Sequence, residues 1–274
     1  MAKPKLALIP ATQGSKLYSV LPADGVGDFT FSRGSAATRI NKDGLIETVA
    51  SGVSRLNYPL IDGVVNGCPS HLLEPQRSNN FSYSADFLNA YWTKSGSSIT
   101  SDSVISPDGT LNADKLVENS DTVEHFLRRS IAVPTGQYTW SVFAKASERK
   151  YIVLRTNGDG GAYKNACFDV ELGVVVYDGL HNSEAKIEAF SNGWFRISGL
   201  SKETSGTTRN YQIHVSDSAI TDNSAISYNG DGVSGIYLYG VQLELGYRSS
   251  YIPTTNSAVT RSAETANGAG DAST

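Results

Sequence analysis

At 274 residues the chain is long enough to bury one large core, or one core with a smaller appendage. Apolar residues make up 39% and there are 26 glycines, with Ser, Thr and Asn also abundant, as a turn-dense all-β protein requires. The 23 basic and 27 acidic residues are well mixed and leave a net charge of −4, so there is no electrostatic footprint for nucleic acid, and anionic membranes and acidic substrates are not favoured.

In chain order, the first apolar stretch is Leu6 to Ile9, which Pro10 ends. It is too short for an export signal, and no run in the sequence approaches transmembrane length. Residues 1–75 read as short extended pieces broken by Ala23-Asp-Gly25, Lys42-Asp-Gly44, Asp62-Gly63 and Asn66-Gly67 and punctuated by prolines. Thr38–Ile40 and Leu45–Val49, joined by Lys42-Asp-Gly44, predict a β-hairpin. Pieces with unpaired edges and little continuous amphipathic face need cover from another surface. We therefore expect 1–75 to be an anchor, its hairpin at 28–49 buried against partner chains through Phe29, Phe31, Ile40, Leu45 and Ile46.

Residues 76–256 predict the main domain, a β-sandwich of jelly-roll type. A short helix is expected at Ala85–Tyr91. Strands follow near 98–105, 113–118, 123–132, 138–147, 150–156, 164–170, 173–178, 185–190, 194–201, 208–216 and 235–245. Period-two alternation puts Tyr138, Trp140, Val142 and Ala144 on one face and Thr139, Ser141 and Phe143 on the other. By the same rule Ile236, Leu238 and Gly240 oppose Tyr237, Tyr239 and Val241. Ser191-Asn-Gly193 is the clearest hairpin turn in the chain. Residues 257–274 read as a tail or linker. Ser35-Ala-Ala-Thr-Arg39 echoes Ser257-Ala-Val-Thr-Arg261, and if the echo is real Arg39 and Arg261 make equivalent contacts.

Catalytic signatures are missing. Glycoside cleavage needs two carboxylates facing each other across a sugar. Asp169 with Glu171, and Glu184 with Glu188, read instead as solvated surface acids. His71, His125, His181 and His214 are dispersed, and Cys68 and Cys167 flank no metal-ligand spacing. The two cysteines read as buried free thiols, a disulfide being the alternative. No cofactor is expected. The loops at Asn157-Gly-Asp159 and Asn229-Gly-Asp231 have the oxygens for a structural calcium, but tight turns are the preferred reading. For a glycan, the exposed aromatic candidates are Tyr163, Tyr211, Tyr237 and Tyr239, while Trp140 and Trp194 are expected in the core.

Phe29-Thr-Phe-Ser-Arg-Gly-Ser-Ala-Ala-Thr-Arg-Ile-Asn-Lys-Asp-Gly-Leu-Ile-Glu47 and Leu72-Leu-Glu-Pro-Gln-Arg77 resemble the opening of tailed-bacteriophage virion proteins of the head spike, head fibre or tail-fibre-like type. Asp86–Lys94, Ser106-Pro-Asp-Gly-Thr110, Gly193-Trp-Phe-Arg196, Val241–Gly246, Ser250-Tyr-Ile-Pro-Thr254 and Ala258-Val-Thr-Arg261 extend the likeness over nearly the whole chain. The middle of the chain is also similar to carbohydrate-binding-module jelly rolls. The resemblance implies a structural protein of the virion, made in the bacterial host cytoplasm. It implies a homo-oligomer, usually a trimer, attached to the phage capsid or other virion proteins, with cell-surface or mucus glycans as a second class of partner. It carries no catalytic residue onto this sequence.

Overall fold

The computed structural model describes residues 11–13, 16–18, 29–157, 162–180, 184–203 and 208–267. Its centre is a sandwich of twelve strands. These are β1 (Thr93–Ser95), β2 (Ser97–Ile105), β3 (Leu111–Glu118), β4 (Phe126–Ala132), β5 (Gly136–Ala146) and β6 (Tyr151–Asn157). The remainder are β7 (Tyr163–Asp169), β8 (Val174–Asp178), β9 (Lys186–Phe190), β10 (Trp194–Glu203), β11 (Thr208–Ser216) and β12 (Gly235–Leu245). One sheet has the order β1-β4-β11-β6-β7-β8 and the other β2-β3-β12-β5-β10-β9, with antiparallel neighbours throughout. The fold is an all-β jelly roll.

The alternation read from β5 holds. Tyr138, Trp140, Val142 and Ala144 enter the core between the sheets, with Leu154, Phe168, Ile197, Tyr211, Ile213 and Leu243. Each such side chain contributes roughly 1.5–3 kcal/mol on burial. The alternation read from β12 fails after Tyr239. Gly240 has φ +60, and the register with β5 shifts between Ser141 and Phe143. This β-bulge returns Val241 to the inner face with Ile236 and Leu238, while Tyr239 stays outside. A Cβ on residue 240 would lie 3.0 Å from Phe143 Cδ2 and 3.1 Å from Tyr251 Cζ, so packing as well as φ calls for glycine.

The expected helix at 85–91 is absent, and no α-helix occurs among the described residues. Side chains take the backbone donors that a helix would need. Asp86 Oδ1 accepts from Asn89 N, Asn89 Oδ1 accepts from Tyr91 N, and Asp114 Oδ2 accepts from Phe87 N at 2.8 Å. The segment becomes a knot of turns that delivers Phe81, Phe87 and Trp92 to the core.

The hairpin forms as read, with Ile40 opposite Ile46. For Phe31 and Ile46 the expected burial against partner chains is corrected by the structure, because both are already buried within the chain, with Ile40 and Leu45 half-buried beside them; the Phe29 side chain lies outside the described residues. Ile46 joins Phe143, Trp194, Tyr239 and Tyr251 on the outer face of the second sheet, with Ile40 against the same cluster. The Ile46 amide donates to Pro107 O, Thr38 Oγ1 donates to Tyr251 O, and Leu45 lies over Gly109. Phe31 is buried under the Arg33 guanidinium. Three turns meet here: Ser191 Oγ, beside the Asn192-Gly193 turn, bonds with both Gly44 O and Gly63 O at 3.0 Å. Asn192, Gly193, Gly44 and Gly63 all have positive φ, which accounts for the Asn-Gly and Asp-Gly pairs read in the sequence.

Residues 31–75 therefore roof the second sheet, and the packing shows no break at 75. Beside them, Phe29–Ser32 pairs with Thr265–Asn267, and Arg77–Asn79 pairs with Val259–Arg261.

Candidate functional site

The space between the second sheet and its roof holds a network of buried charge. Arg33 Nη1 donates to Glu264 Oε1 at 2.6 Å, and Arg55 Nε to the same oxygen at 2.7 Å. Arg55 Nη2 reaches Glu264 Oε2 and, at 2.9 Å, Glu74 Oε2. Arg261 Nη1 also pairs with Glu74 Oε2 at 2.9 Å, and its Nη2 donates to Pro75 O. Ser250 joins the groups: its amide and hydroxyl donate to Glu74, and its hydroxyl accepts from Arg55 and Arg261. Burial would raise the Glu74 carboxyl, yet Arg261, Ser250 and Arg55 together hold it below its usual range. Arg33, Arg55 and Arg261 are each almost fully buried.

The clasp gathers stretches far apart in the sequence: Arg33, Arg55, Glu74, Ser250, Arg261 and Glu264. Sequence reading missed it because no spacing rule links residues about 200 positions apart. The signal present was that several of them fall in the quoted resemblance segments. The echo between residues 35–39 and 257–261 is not a contact equivalence. Arg261 is sealed in the clasp, whereas Arg39 is half-exposed and pairs with Glu47 at 2.8 Å.

Beside the clasp opens a cleft of about 400 Å³. Its apolar lining comes from Phe143, Phe190, Tyr251 and the half-buried Tyr58. Arg196 lies at its base, 4% exposed; Nη1 donates to Ser249 O at 2.7 Å, and Nε and Nη2 donate to Ser141 Oγ. Burial pushes the Arg196 guanidinium down to about 9, still protonated at neutral pH. Arg248 and Glu188 form an ion pair at the rim. Of the carboxylates lining the cleft, Glu74 is held by the clasp and Glu188 by Arg248, while Asp62 is exposed on a turn.

The sequence-predicted residues are scattered. Tyr211 is a core residue, packed edge-on against Trp140 and Phe81. Tyr239 is buried outside the second sheet and donates to Asp108 Oδ2 at 2.8 Å; burial raises its hydroxyl well above the ordinary range. Both corrections arise because large aromatics on sheet faces are more often enclosed than displayed. Tyr237 is half-buried against Phe143 and its neighbours. Tyr163 is half-buried on the outer face of the first sheet, with the Arg155 guanidinium 4.1 Å from its ring centroid. That face also carries Gln212, Asn165 and His214, and Arg155 pairs with Glu124. Trp140 and Trp194 are core as expected, Trp194 Nε1 donating to Ile105 O at 3.0 Å.

At Asn229–Asp231 the oxygens are committed. Asp231 accepts from Val233 N, Ser234 N and Ser234 Oγ and faces Arg149 at 3.6 Å, while Asn229 Oδ1 accepts from Thr122. A fixed guanidinium beside the carboxylate opposes a calcium ion. Asn157 Oδ1 accepts from Asn210 N, and Asp159 and His181 lie outside the described residues. Asp169 caps its own turn by accepting from Glu171 N and Leu172 N, and Lys150 bridges Asp169 and Glu171. Asp169 is thus buried rather than solvated, whereas Glu171 is exposed as expected. Cys68 is exposed rather than buried; Cys167 is buried, and both are free thiols.

No family model matches the chain, and no curated protein does. Similar solved structures include the enzymatically active domain of tailspike protein 4 of bacteriophage CBA120, with TM-score 0.37, 14% identity, 61% of this chain and 21% of that one. TmCBM61 in complex with β-1,4-galactotriose aligns with TM-score 0.38 and 10% identity over 62% of this chain and 99% of that one. The CBM22-1–GH10 modules of Clostridium thermocellum endo-1,4-β-D-xylanase 10B, complexed with xylohexaose, align with TM-score 0.38 and 14% identity over 66% of this chain and 30% of that one. The chain thus spans about a fifth of the tailspike chain and under a third of the xylanase chain.

Proposed function

We propose that the chain is a structural protein of a tailed-bacteriophage particle, a head fibre or capsid decoration protein that displays the jelly roll outward as a homotrimer. The clasp is the observation that carries this reading. The segments that resemble virion proteins are used to fasten the chain's early and late parts onto one sandwich, which is what a scaffold requires. The reading is non-catalytic, since Glu74 and Glu188 at the cleft are tied to arginines and Asp62 is exposed on a turn, with Glu74 held below its usual range rather than raised as a general acid would be. Antibody labelling of whole particles in the electron microscope tests it. Label on the capsid is the expected result. Label confined to the tail replaces head attachment by a tail-fibre role, and unlabelled particles overturn the virion assignment.

A second reading, compatible with the first, is glycan binding that attaches the particle to a cell surface or mucus. The cleft favours it: its volume falls within the roughly 300–1,000 Å³ of small-molecule sites, and it combines aromatic walls with fixed polar groups. Isothermal titration of the full chain with neutral and acidic oligosaccharides checks it, and no heat with any of them sinks it.

A further inference from the structure

We propose that the cleft above Arg196 takes a carboxylate-bearing saccharide, with the sugar's carboxylate completing the coordination of the Arg196 guanidinium. The inference rests on the glycan reading of the cleft and adds the charge class of the ligand. Its basis is an imbalance of buried charge. Four guanidinium groups, Arg33, Arg55, Arg196 and Arg261, are enclosed in and beside the clasp, against three carboxylates, Glu74, Glu244 and Glu264. Glu264 serves Arg33 and Arg55, and Glu74 serves Arg55 and Arg261. Glu244 receives the Ser249 amide and hydroxyl and the Gln242 amide, and it reaches Arg196 only through Ser249.

Arg196 is thus a buried cation whose hydrogen bonds go to a serine hydroxyl and a backbone carbonyl, with no carboxylate in direct contact among the described residues. Burying a charge in this way is costly unless it is paired. A guanidinium has five N–H donors, and those bonds leave one on each Nη without a partner among the described residues. Two donors on a planar fork match the two oxygens of a carboxylate. Burial is the main cause of the lowered Arg196 pKa; Arg248 at the rim adds positive potential, and Glu244, Glu188 and Glu74 oppose it from a distance without contact. The rest of the lining suits a sugar ring rather than a simple inorganic anion, with Tyr58 and Phe190 as apolar walls and the Asn57 amide and Ser249 hydroxyl beside them.

The test is titration of the full chain, labelled with ¹⁵N at arginine, with trigalacturonate, galactotriose and acetate at one ionic strength. We expect trigalacturonate to bind at least tenfold more tightly than galactotriose and to shift a guanidinium resonance assigned to Arg196. Arg196→Gln should remove that preference, bringing trigalacturonate down to the affinity that galactotriose has for the unsubstituted chain. The resonance shift in the unsubstituted chain keeps the test decisive if the variant does not fold. Equal binding of the two trisaccharides overturns the inference and leaves the glycan reading standing. Binding of neither overturns both. An Arg196 shift that acetate reproduces at equal concentration, or a trigalacturonate complex that leaves Arg196 unshifted, overturns the carboxylate–saccharide assignment.

Discussion

Removing Glu264 is the most direct test of the clasp. Its side chain is fully enclosed and receives Arg33, two nitrogens of Arg55 and the Glu74 amide. Glu264→Ala leaves two guanidinium groups buried, with Glu74 the one carboxylate still touching Arg55 and none on Arg33 among the described residues. Truncating one partner of a buried ion pair costs about 3–5 kcal/mol, because the remaining charge stays desolvated. That is a fifth or more of the roughly 5–15 kcal/mol that separates folded from unfolded protein. Urea denaturation of the full chain, followed by tryptophan fluorescence, reads the loss as a lower midpoint at unchanged slope. Glu47→Ala is the control: it breaks the half-exposed pair with Arg39 and should cost under about 1 kcal/mol. If Glu264→Ala shifts the midpoint no more than Glu47→Ala, the clasp is not what holds residues 31–75 to the sandwich. A slope that changes with the midpoint would instead mean that the roof detaches as a separate step.

Gly240→Ala should cost about 1–3 kcal/mol in thermal denaturation, from the positive φ and the contacts with Phe143 and Tyr251; a neutral result would mean that the bulge can relax. Of the two thiols, only exposed Cys68 should react with Ellman's reagent in the native chain. Burial pushes the Cys167 thiol up to about 11, so it should react only after denaturation, and two rapid equivalents in native buffer would contradict its burial. Stability should hold near neutral pH and fall as pH drops below about 4.5, the ordinary Glu value. The folded-state pKa values of Glu74 and Glu118 are depressed, so their contribution is present above that value and is lost as protons bind; an acid-insensitive midpoint between pH 5 and 3 would refute this. At the alkaline end the signs reverse. Burial raises the Tyr228, Tyr239 and Tyr251 hydroxyls, so their contribution is lost as pH climbs above 10, and their phenolate absorbance should appear only together with unfolding.

The sandwich was largely legible because period-two alternation and Asn-Gly or Asp-Gly turns are local signals. The strands around Tyr138–Ala146 and Trp194 and the turn at Asn192-Gly193 come directly from them. The failures occur where a local signal is overridden by a distant partner. The face of Val241 was misread because one glycine inserts a bulge, and the helix at 85–91 because Asp114 takes the Phe87 amide. Tyr211 and Tyr239 read as platform candidates because an aromatic on a strand looks the same whether a sheet or solvent covers it. The clasp and the cleft lay furthest from view. They need Arg33 and Glu264, or Ser141 and Arg196, to be brought together by the fold, and pattern within any single segment carries no record of that.

The pairing of Phe29–Ser32 with Thr265–Asn267 has a mechanical consequence. Thr30 lies opposite Asn267, so two stretches more than 230 residues apart in the sequence run side by side as one antiparallel ribbon. Tension applied between those two points loads the ribbon from its open end and peels it one rung at a time, which requires little force. A pull from one of them against the far side of the jelly roll instead runs along strands and loads many rungs in shear. The molecule is weak to being opened at this ribbon and strong to being dragged by its body.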